Sequence, residues 1–299
     1  MLFLLNYRGE IAALSAALIW AIASLIYVGL GKQMPPLLLN FAKNGVAIAL
    51  ILLTLLVQGN FAPQIGGLNL GLLLLSGVIG IGFGDTAFLE ALNCLGARRS
   101  LLVESLAPPL AAVLASVFLA ELLSVQAWIG ILLTVAGVAW VVVERTPDQV
   151  QHIRPLRGIG FGLLAAFGQA SGAVLSRAAL ADNNVSPLWS TLIRLAAGMM
   201  VLSVLIFSRR QTWLGFQPMR SPRFLRTLVG TAFVGTYLAI WLQQTALKYT
   251  AAGIAQALTA TSPLFIIPLA MALGERASLR SVAGVLMALF GVWLLLDFG

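Results

Sequence analysis

Charged side chains inside long apolar segments are costly and mark candidate functional sites. The four candidates in this sequence are Lys43, Asp85, Glu104 and Arg194. Lys43 lies about 10 Å into its segment at a rise of about 1.5 Å per residue, and both acids are predicted to lie in the same leaflet. Lys43 can therefore pair with either acid. Two interpretations stay open, namely a structural ion pair and a site that binds a substrate or carries a coupling proton.

Glu104 has a further alternative, because Arg98 and Arg99 lie in the short connection just before it. Together with Glu90, it would then pair with these arginines at the membrane surface. In that arrangement neither glutamate takes part in a site within the membrane.

Arg194 is predicted to lie too deep in its segment to reach water easily, with no acid near it inside the membrane. A buried guanidinium needs hydrogen-bond acceptors. It binds either an anionic ligand or, as the alternative, carbonyls at helix ends and Gln side chains. Other polar and amphipathic side chains are expected to contribute to the site: Trp20, Gln169, Tyr237, Gln243, Gln244 and Gln256. For the two aromatic residues, packing or anchoring at the membrane surface is the alternative.

The composition defines the environment of these residues. Hydrophobic residues make up 60% of the 299 residues and charged residues only 9%, which predicts an integral membrane protein because soluble domains are about 25% charged. The net charge of +8 is attributed to loops on one side of a lipid bilayer, not to nucleic-acid binding. Cys94 and His152, each the only residue of its type, leave no metal cluster, so we expect no metal and no cofactor. No nucleophile is paired with a base inside the helices, so an enzyme is not expected.

Ten segments reach the length of about 20 apolar residues that a membrane-spanning helix needs. They are approximately residues 10–29, 36–57, 68–91, 100–119, 125–143, 157–180, 187–207, 224–246, 251–272 and 279–297. The predicted fold is therefore all-α with ten transmembrane helices. Pro109 and Pro263 are predicted to kink the fourth and ninth helices, because proline removes a backbone hydrogen bond. Interrupted helices at equivalent places in two halves are typical of a transport pathway.

The second half of the sequence repeats the first. Shifted by 154 positions, residues 109–142 fall on 263–296 with nine of 34 positions identical. A similar shift places Lys43 on Arg194. Each unit holds five helices, an odd number, so the second unit enters the membrane upside down. We assign the units to residues 1–149 and 150–299, related by a pseudo-two-fold axis in the membrane plane, as is typical of secondary transporters.

The basic residues give an orientation. Thirteen of them lie in or beside the connections after the odd-numbered helices, and only two lie on the opposite side. Because short cytoplasmic loops are enriched in Lys and Arg, this count places both termini outside. The glycines of the fifth and tenth helices, Gly130, Gly137, Gly284 and Gly291, are predicted to mediate close helix packing.

Several short motifs occur in register in the two units. They are Ala91-Leu92, Pro109, Leu119-Ala120-Glu121, Gly130 and Gly137-Val138, with their mates Ala246-Leu247, Pro263, Leu273-Gly274-Glu275, Gly284 and Gly291-Val292. In this pattern the chain resembles the drug/metabolite transporter superfamily and, within it, EamA-type permeases, over residues 10–143 and 157–297.

The resemblance implies a basket-like bundle with a central cavity lined by helices 1, 3, 4, 6, 8 and 9, with helices 5 and 10 at the periphery. It also implies that a basic residue in the second helix of each repeat is common, and Lys43 and Arg194 occupy these positions. Familiar ten-helix members have both termini inside, so the charge count marks a departure from the family.

We therefore predict a multi-pass secondary transporter of the cell membrane, a permease or exporter of small metabolites or drugs. Alternating access between the two inverted repeats would move the substrate. No ATP-binding loop is present in the sequence, so coupling to a proton gradient or a solute gradient is the default expectation. Monomer and homodimer both stay open. The alternative function is a membrane receptor or assembly protein that binds a small molecule without transporting it.

Overall fold

The computed structural model describes residues 7–59, 65–144, 155–181, 184–208, 213–265 and 279–298. These residues form helices and turns and contain no strand. Eight of the described helices are long and apolar enough to cross a membrane, and the last helix contains a shorter apolar stretch, Val282–Leu296. The all-α membrane fold predicted from the sequence is confirmed.

The helices follow the predicted segments closely. In the first half they are α1 (Arg8–Gly31), α2 (Pro36–Gln58), α3 (Gly67–Leu92), α4 (Ser100–Phe118) and α5 (Val125–Glu144). In the second half they are α6 (Pro155–Leu180), α7 (Pro187–Ser208), α8 (Pro222–Tyr249), α9 (Ala252–Thr259) and α10 (Leu279–Phe298). A 3₁₀ helix, Trp213–Arg220, precedes α8. Much of the predicted ninth segment, from residue 266 onward, lies outside the described residues.

The connection between α3 and α4 differs from the prediction, because helical hydrogen bonding continues from Asp85 to Glu104. The chain nevertheless turns back within this stretch. Leu95 lies against Gly158 near the start of α6, whereas Glu121, beyond α4, pairs with Arg177 near the end of α6. Both α3 and α4 therefore pack on α6, in opposite directions.

Two π-helical segments interrupt α3 and α8 at equivalent places in the two repeats. They are Gly77–Gly84 and Phe233–Leu238. Gly80 and Gly235 lie within them and match at the same offset of 155 that aligns Ala91-Leu92 with its mate. Asp85 directly follows the first π segment. Such segments are rare and often occur at functional sites.

The kink prolines follow short turns. Ser105 and Leu106 form a turn before Pro109, and Ala260 and Thr261 form the corresponding turn before Pro263. In both repeats the helix is thus interrupted within one turn of the proline, as is expected where a proline removes a backbone donor.

Helices α5 and α10 pack against each other through their glycines, as the sequence predicts. A Cβ added at Gly137 would lie 2.6 Å from the carbonyl oxygen of Gly284, and one at Gly291 would lie 2.7 Å from that of Gly130. The two backbones are therefore in contact, the arrangement that small residues permit between membrane helices.

The bundle has two chemically different ends. The end of the bundle where α1, α3, α5 and α7 end and α2, α6 and α8 begin carries Lys32, Arg157, Arg220, Arg223 and Arg226 among the described residues, and it is called the basic end here. The other end carries the start of α1 and the end of α10 and is called the terminal end.

Candidate functional site

Lys43 and Asp85 form an ion pair inside the membrane-spanning region. The distance from Lys43 Nζ to Asp85 Oδ2 is 3.0 Å, and the two side chains are 14% and 20% exposed. The sequence left Asp85 and Glu104 as possible partners of Lys43. In the structure Lys43 pairs with Asp85. The pair connects α2 to the residue directly after the π segment of α3.

Arg194 is buried against the same π segment, from the side of α7. It is 3% exposed, and a Cβ added at Gly77 would overlap the carbonyl group of Arg194. A Cβ added at Gly80 would lie 3.3 Å from Arg194 Nη2. The glycines of α3 therefore leave room for both the backbone and the guanidinium of Arg194.

The structure corrects the expectation that no acid lies near Arg194, because Asp85 lies within the range of an electrostatic interaction with it. The long arginine side chain runs along the glycine face of α3, which the sequence does not reveal. Among the described residues, however, Arg194 Nε and Nη1 have no hydrogen-bond partner. Asp85 thus interacts with cations from equivalent positions of the two repeats, by direct pairing with Lys43 and by a longer-range electrostatic interaction with Arg194.

The two glutamates have different environments. Glu104 interacts electrostatically with Asp85 and forms no ion pair within the described part of the chain. Glu90 pairs with Arg157 of α6 at 3.9 Å, and this arginine is 53% exposed. The predicted surface role of Glu90 agrees with this pairing, although its partner is Arg157. The side chains of Arg98 and Arg99 lie outside the described residues.

Gln256 is the centre of a polar network between α6, α8 and α9. Its Nε2 donates to the backbone carbonyl of Gln169 (3.2 Å), and its Oε1 accepts from Thr259 Oγ1 (3.2 Å). Gln243 Nε2 reaches the same Oε1 at 3.5 Å, the length of a weak hydrogen bond. Gln244 belongs to a separate contact, in which its Oε1 accepts from Ser190 Oγ of α7 at 2.8 Å.

The predicted aromatic residues lie around the π segment of α8. Trp20 Nε1 donates to the carbonyl of Gly235 at 2.9 Å. The hydroxyl groups of Tyr237 and Thr54 are 3.1 Å apart. These contacts satisfy polar groups of the interrupted helix, which fits the packing interpretation of both residues.

Tyr27 is a member of the site that the sequence interpretation missed. Its hydroxyl lies 2.9 Å from Thr236 Oγ1 in the π segment of α8, and it interacts electrostatically with Lys43. The only signal in the sequence is a tyrosine near the end of an apolar segment, a common arrangement at membrane surfaces.

A second partly buried ion pair, also missed, lies at the terminal end. Arg177 Nε and Glu121 Oε1 are 2.5 Å apart, and Arg177 Nη1 donates to the carbonyls of Leu247 (3.1 Å) and Lys248 (2.8 Å). The other carboxylate oxygen of Glu121 accepts from the backbone N–H of Ala252 (3.0 Å), at the start of α9. We call these residues the terminal-end cluster. It joins the α4–α5 turn to α6, α8 and α9.

The sequence was compared with known families and structures. The model described as the EamA-like transporter family matches residues 7–143 and 156–297, once in each half. The chain belongs to the EamA-like transporter family. It is therefore a multi-pass membrane protein of a family of transporters of the drug/metabolite type, and this family is generally non-enzymatic.

One solved structure, titled only "Crystal structure of protein", is similar with a TM-score of 0.75 and 16% identity over 97% of each chain. At that identity the likeness shows the fold alone. No curated protein matches the sequence.

Proposed function

We propose that this protein is a secondary active transporter that moves a small metabolite or drug by alternating access between its two inverted repeats. The observation that carries the proposal is the position of Lys43 and Arg194. They occupy equivalent places in the two repeats, and both approach Asp85 beside the π segment of α3. A charged side chain in the membrane costs about 2.5–3.5 kcal/mol on insertion scales. The presence of a cation at equivalent sites of both repeats, despite this cost, supports a function that uses both repeats.

The substrate is proposed to carry an acceptor-rich group that binds Arg194. Its Nε and Nη1 are buried without an acceptor among the described residues. Both atoms are donors, and each unsatisfied buried donor costs about 1–3 kcal/mol. A carboxylate or another oxyanion would satisfy both donors, which supports the anion-binding interpretation of Arg194.

The acids are proposed to provide coupling. Asp85 is held by Lys43, whereas Glu104 has no partner within the described residues and interacts electrostatically with Asp85. Binding of a proton to one carboxyl changes the charge that interacts with the two cations. We therefore assign proton coupling to the pair Asp85 and Glu104, with Gln243, Gln244 and Gln256 as polar wall.

The first experiment is untargeted metabolite profiling inside and outside cells that overexpress the protein. The control is the Lys43→Ala/Arg194→Ala double variant at equal membrane abundance. We expect one metabolite with an anionic group to change compartment only with the unaltered protein. Its uptake into proteoliposomes should then respond to an imposed pH gradient.

Two outcomes would contradict the proposal. A metabolite that binds the purified protein but never crosses proteoliposome membranes would favour the receptor function. A transported substrate without an acceptor-rich group would remove the role given to Arg194.

A further inference from the structure

Helices α1 and α8 are in close contact near the middle of both helices. A Cβ added at Gly235 of α8 would lie 2.6 Å from the Cβ of Ala23 in α1, so the helices are in close contact at that level. Nearer the basic end, Gly230 of α8 has nothing within 4 Å of an added Cβ. A space therefore lies beside Gly230, and the contact of Gly235 with Ala23 closes its inner end.

This space is a groove of about 240 Å³. Ile22 and Ile26 of α1 and Gly230 and Val234 of α8 line it, and its surface is almost entirely apolar. The two isoleucines are 42% and 39% exposed, so the groove is open along its length. From Arg226 to Val234 it extends for about 12 Å at a rise of about 1.5 Å per residue.

Arg226 and Thr227 line the groove at the basic end. Both are exposed, whereas Phe224 and Leu228 in the same helical turns are buried. Within the described residues no carboxylate pairs with Arg226. The charge at this end of the groove is therefore free for a ligand.

We propose that this groove binds an anionic glycerophospholipid from the leaflet at the basic end. The phosphate of the head group pairs with Arg226, and one acyl chain lies along Ile22, Ile26, Gly230 and Val234. Charge complementarity selects the head group, since basic pockets between membrane helices attract anionic lipids. The apolar walls and the closed inner end fit a single hydrocarbon chain. The proposal does not depend on what the protein transports.

The test measures lipid binding by the purified full-length protein in detergent. Phosphatidylglycerol and phosphatidylcholine with the same acyl chains are titrated, and bound lipids are counted by native mass spectrometry. The variants are Arg226→Gln, which removes the head-group charge, and Gly230→Leu, which fills the groove. Their matched controls are Arg220→Gln, an exposed arginine outside the groove, and Gly160→Leu, an exposed α6 glycine with nothing within 4 Å of an added Cβ.

We expect the unaltered protein to prefer phosphatidylglycerol, and Arg226→Gln to weaken its binding roughly fivefold, the effect of about one basic contact. Gly230→Leu should weaken binding of both lipids, and both controls should bind as the unaltered protein does. Equal binding of the two lipids, or equal losses in Arg226→Gln and Arg220→Gln, would overturn the proposal. If Gly230→Leu weakened the binding of phosphatidylcholine only, the groove would be assigned to a neutral lipid. That result would also overturn the proposal. If Gly230→Leu does not fold, the proposal is decided by the preference of Arg226→Gln for phosphatidylglycerol over phosphatidylcholine.

Discussion

Lys43 and Arg194 occupy equivalent positions, yet their surroundings differ. The charge of Lys43 is compensated by Asp85 at 3.0 Å, whereas two nitrogens of the Arg194 guanidinium have no hydrogen-bond partner among the described residues. Removing one member of a buried pair leaves an uncompensated charge, while removing an unpaired charge relieves a desolvation cost. The two residues should therefore respond in opposite ways to neutral substitutions.

For Lys43→Met, we expect destabilisation by about 3 kcal/mol, because Asp85 is left buried without its cation. The double variant Lys43→Met/Asp85→Leu should recover most of the loss, since it leaves no charge unpaired. Thermal unfolding in detergent, followed by intrinsic fluorescence, measures both. A double variant no more stable than Lys43→Met would show that the pair does not carry this energy.

For Arg194→Gln, we expect unchanged or raised thermal stability together with at least tenfold slower transport of the substrate found by profiling. The stability follows from removing a buried charge, and the loss of transport follows from losing hydrogen bonds to a charged group, each worth about 1.5–3 kcal/mol. Arg194→Lys keeps the charge but loses the planar donor geometry. Its transport rate should lie between those of the unaltered protein and Arg194→Gln. An unfolding temperature lowered as far as in Lys43→Met would indicate a structural role for Arg194.

At the scale of the helices, α3 is shaped by its glycines. The π segment Gly77–Gly84 allows α6 and α7 to approach on two sides, with Gly80 against Gly172 and Gly77 against the backbone of Arg194. The position of the Arg194 guanidinium is therefore set by the absence of side chains on α3.

Gly77→Ala tests this arrangement. The added Cβ would overlap the carbonyl of Arg194, so α3 and α7 must separate, and overpacking of this kind costs about 1–3 kcal/mol. Gly71→Ala is the matched control, because Gly71 lies on the same helix with nothing within 4 Å of an added Cβ. Alanine there should be neutral or slightly stabilising. Equal melting temperatures for the two variants would contradict the close approach.

The Lys43–Asp85 pair was among the predicted alternatives. Charged residues are easily recognised within apolar segments of the sequence, and the rise per residue of a helix gives their depth. The approach of Arg194 to Asp85 was not predicted, because it depends on a glycine face of α3 that only the packed structure defines. The Glu121–Arg177 pair was missed for a similar reason. The predicted spans place both members at the same end of the bundle, but their pairing depends on how α4 and α6 pack, which local sequence patterns do not encode.

At the scale of the whole molecule, the two ends differ in charge and in the ion pairs that join their helices. The sequence assigns thirteen basic residues to the connections on the side of the basic end, and the terminal-end cluster joins helices at the other end. Positive-inside sorting then predicts that the basic end faces the cytoplasm. In intact bacterial cells, a C-terminal alkaline phosphatase fusion should be active and a C-terminal green fluorescent protein fusion dark. The opposite result would place the lipid groove in the outer leaflet.

The terminal-end cluster is expected to act as the gate on its side of the membrane, because Glu121 joins Arg177 of α6 to the start of α9. Glu121→Gln removes a charge-assisted hydrogen bond worth about 1.5–3 kcal/mol, which shifts the protein toward a state open at this end. Two reporters stand at equivalent positions of the repeats, Thr191→Cys near the terminal end and Asn40→Cys near the basic end. Both native residues are fully buried.

In a Cys94→Ser background, Glu121→Gln should speed alkylation of Thr191→Cys about tenfold and leave that of Asn40→Cys unchanged or slower, because alternating access opens one end while it closes the other. Glu10→Gln is the control, since Glu10 lies at the same end but accepts a hydrogen bond only from Thr250 among the described contacts. Faster alkylation of both reporters would mean general loosening of the bundle. Unchanged alkylation of Thr191→Cys would show that the Glu121–Arg177 pair does not hold the terminal end closed.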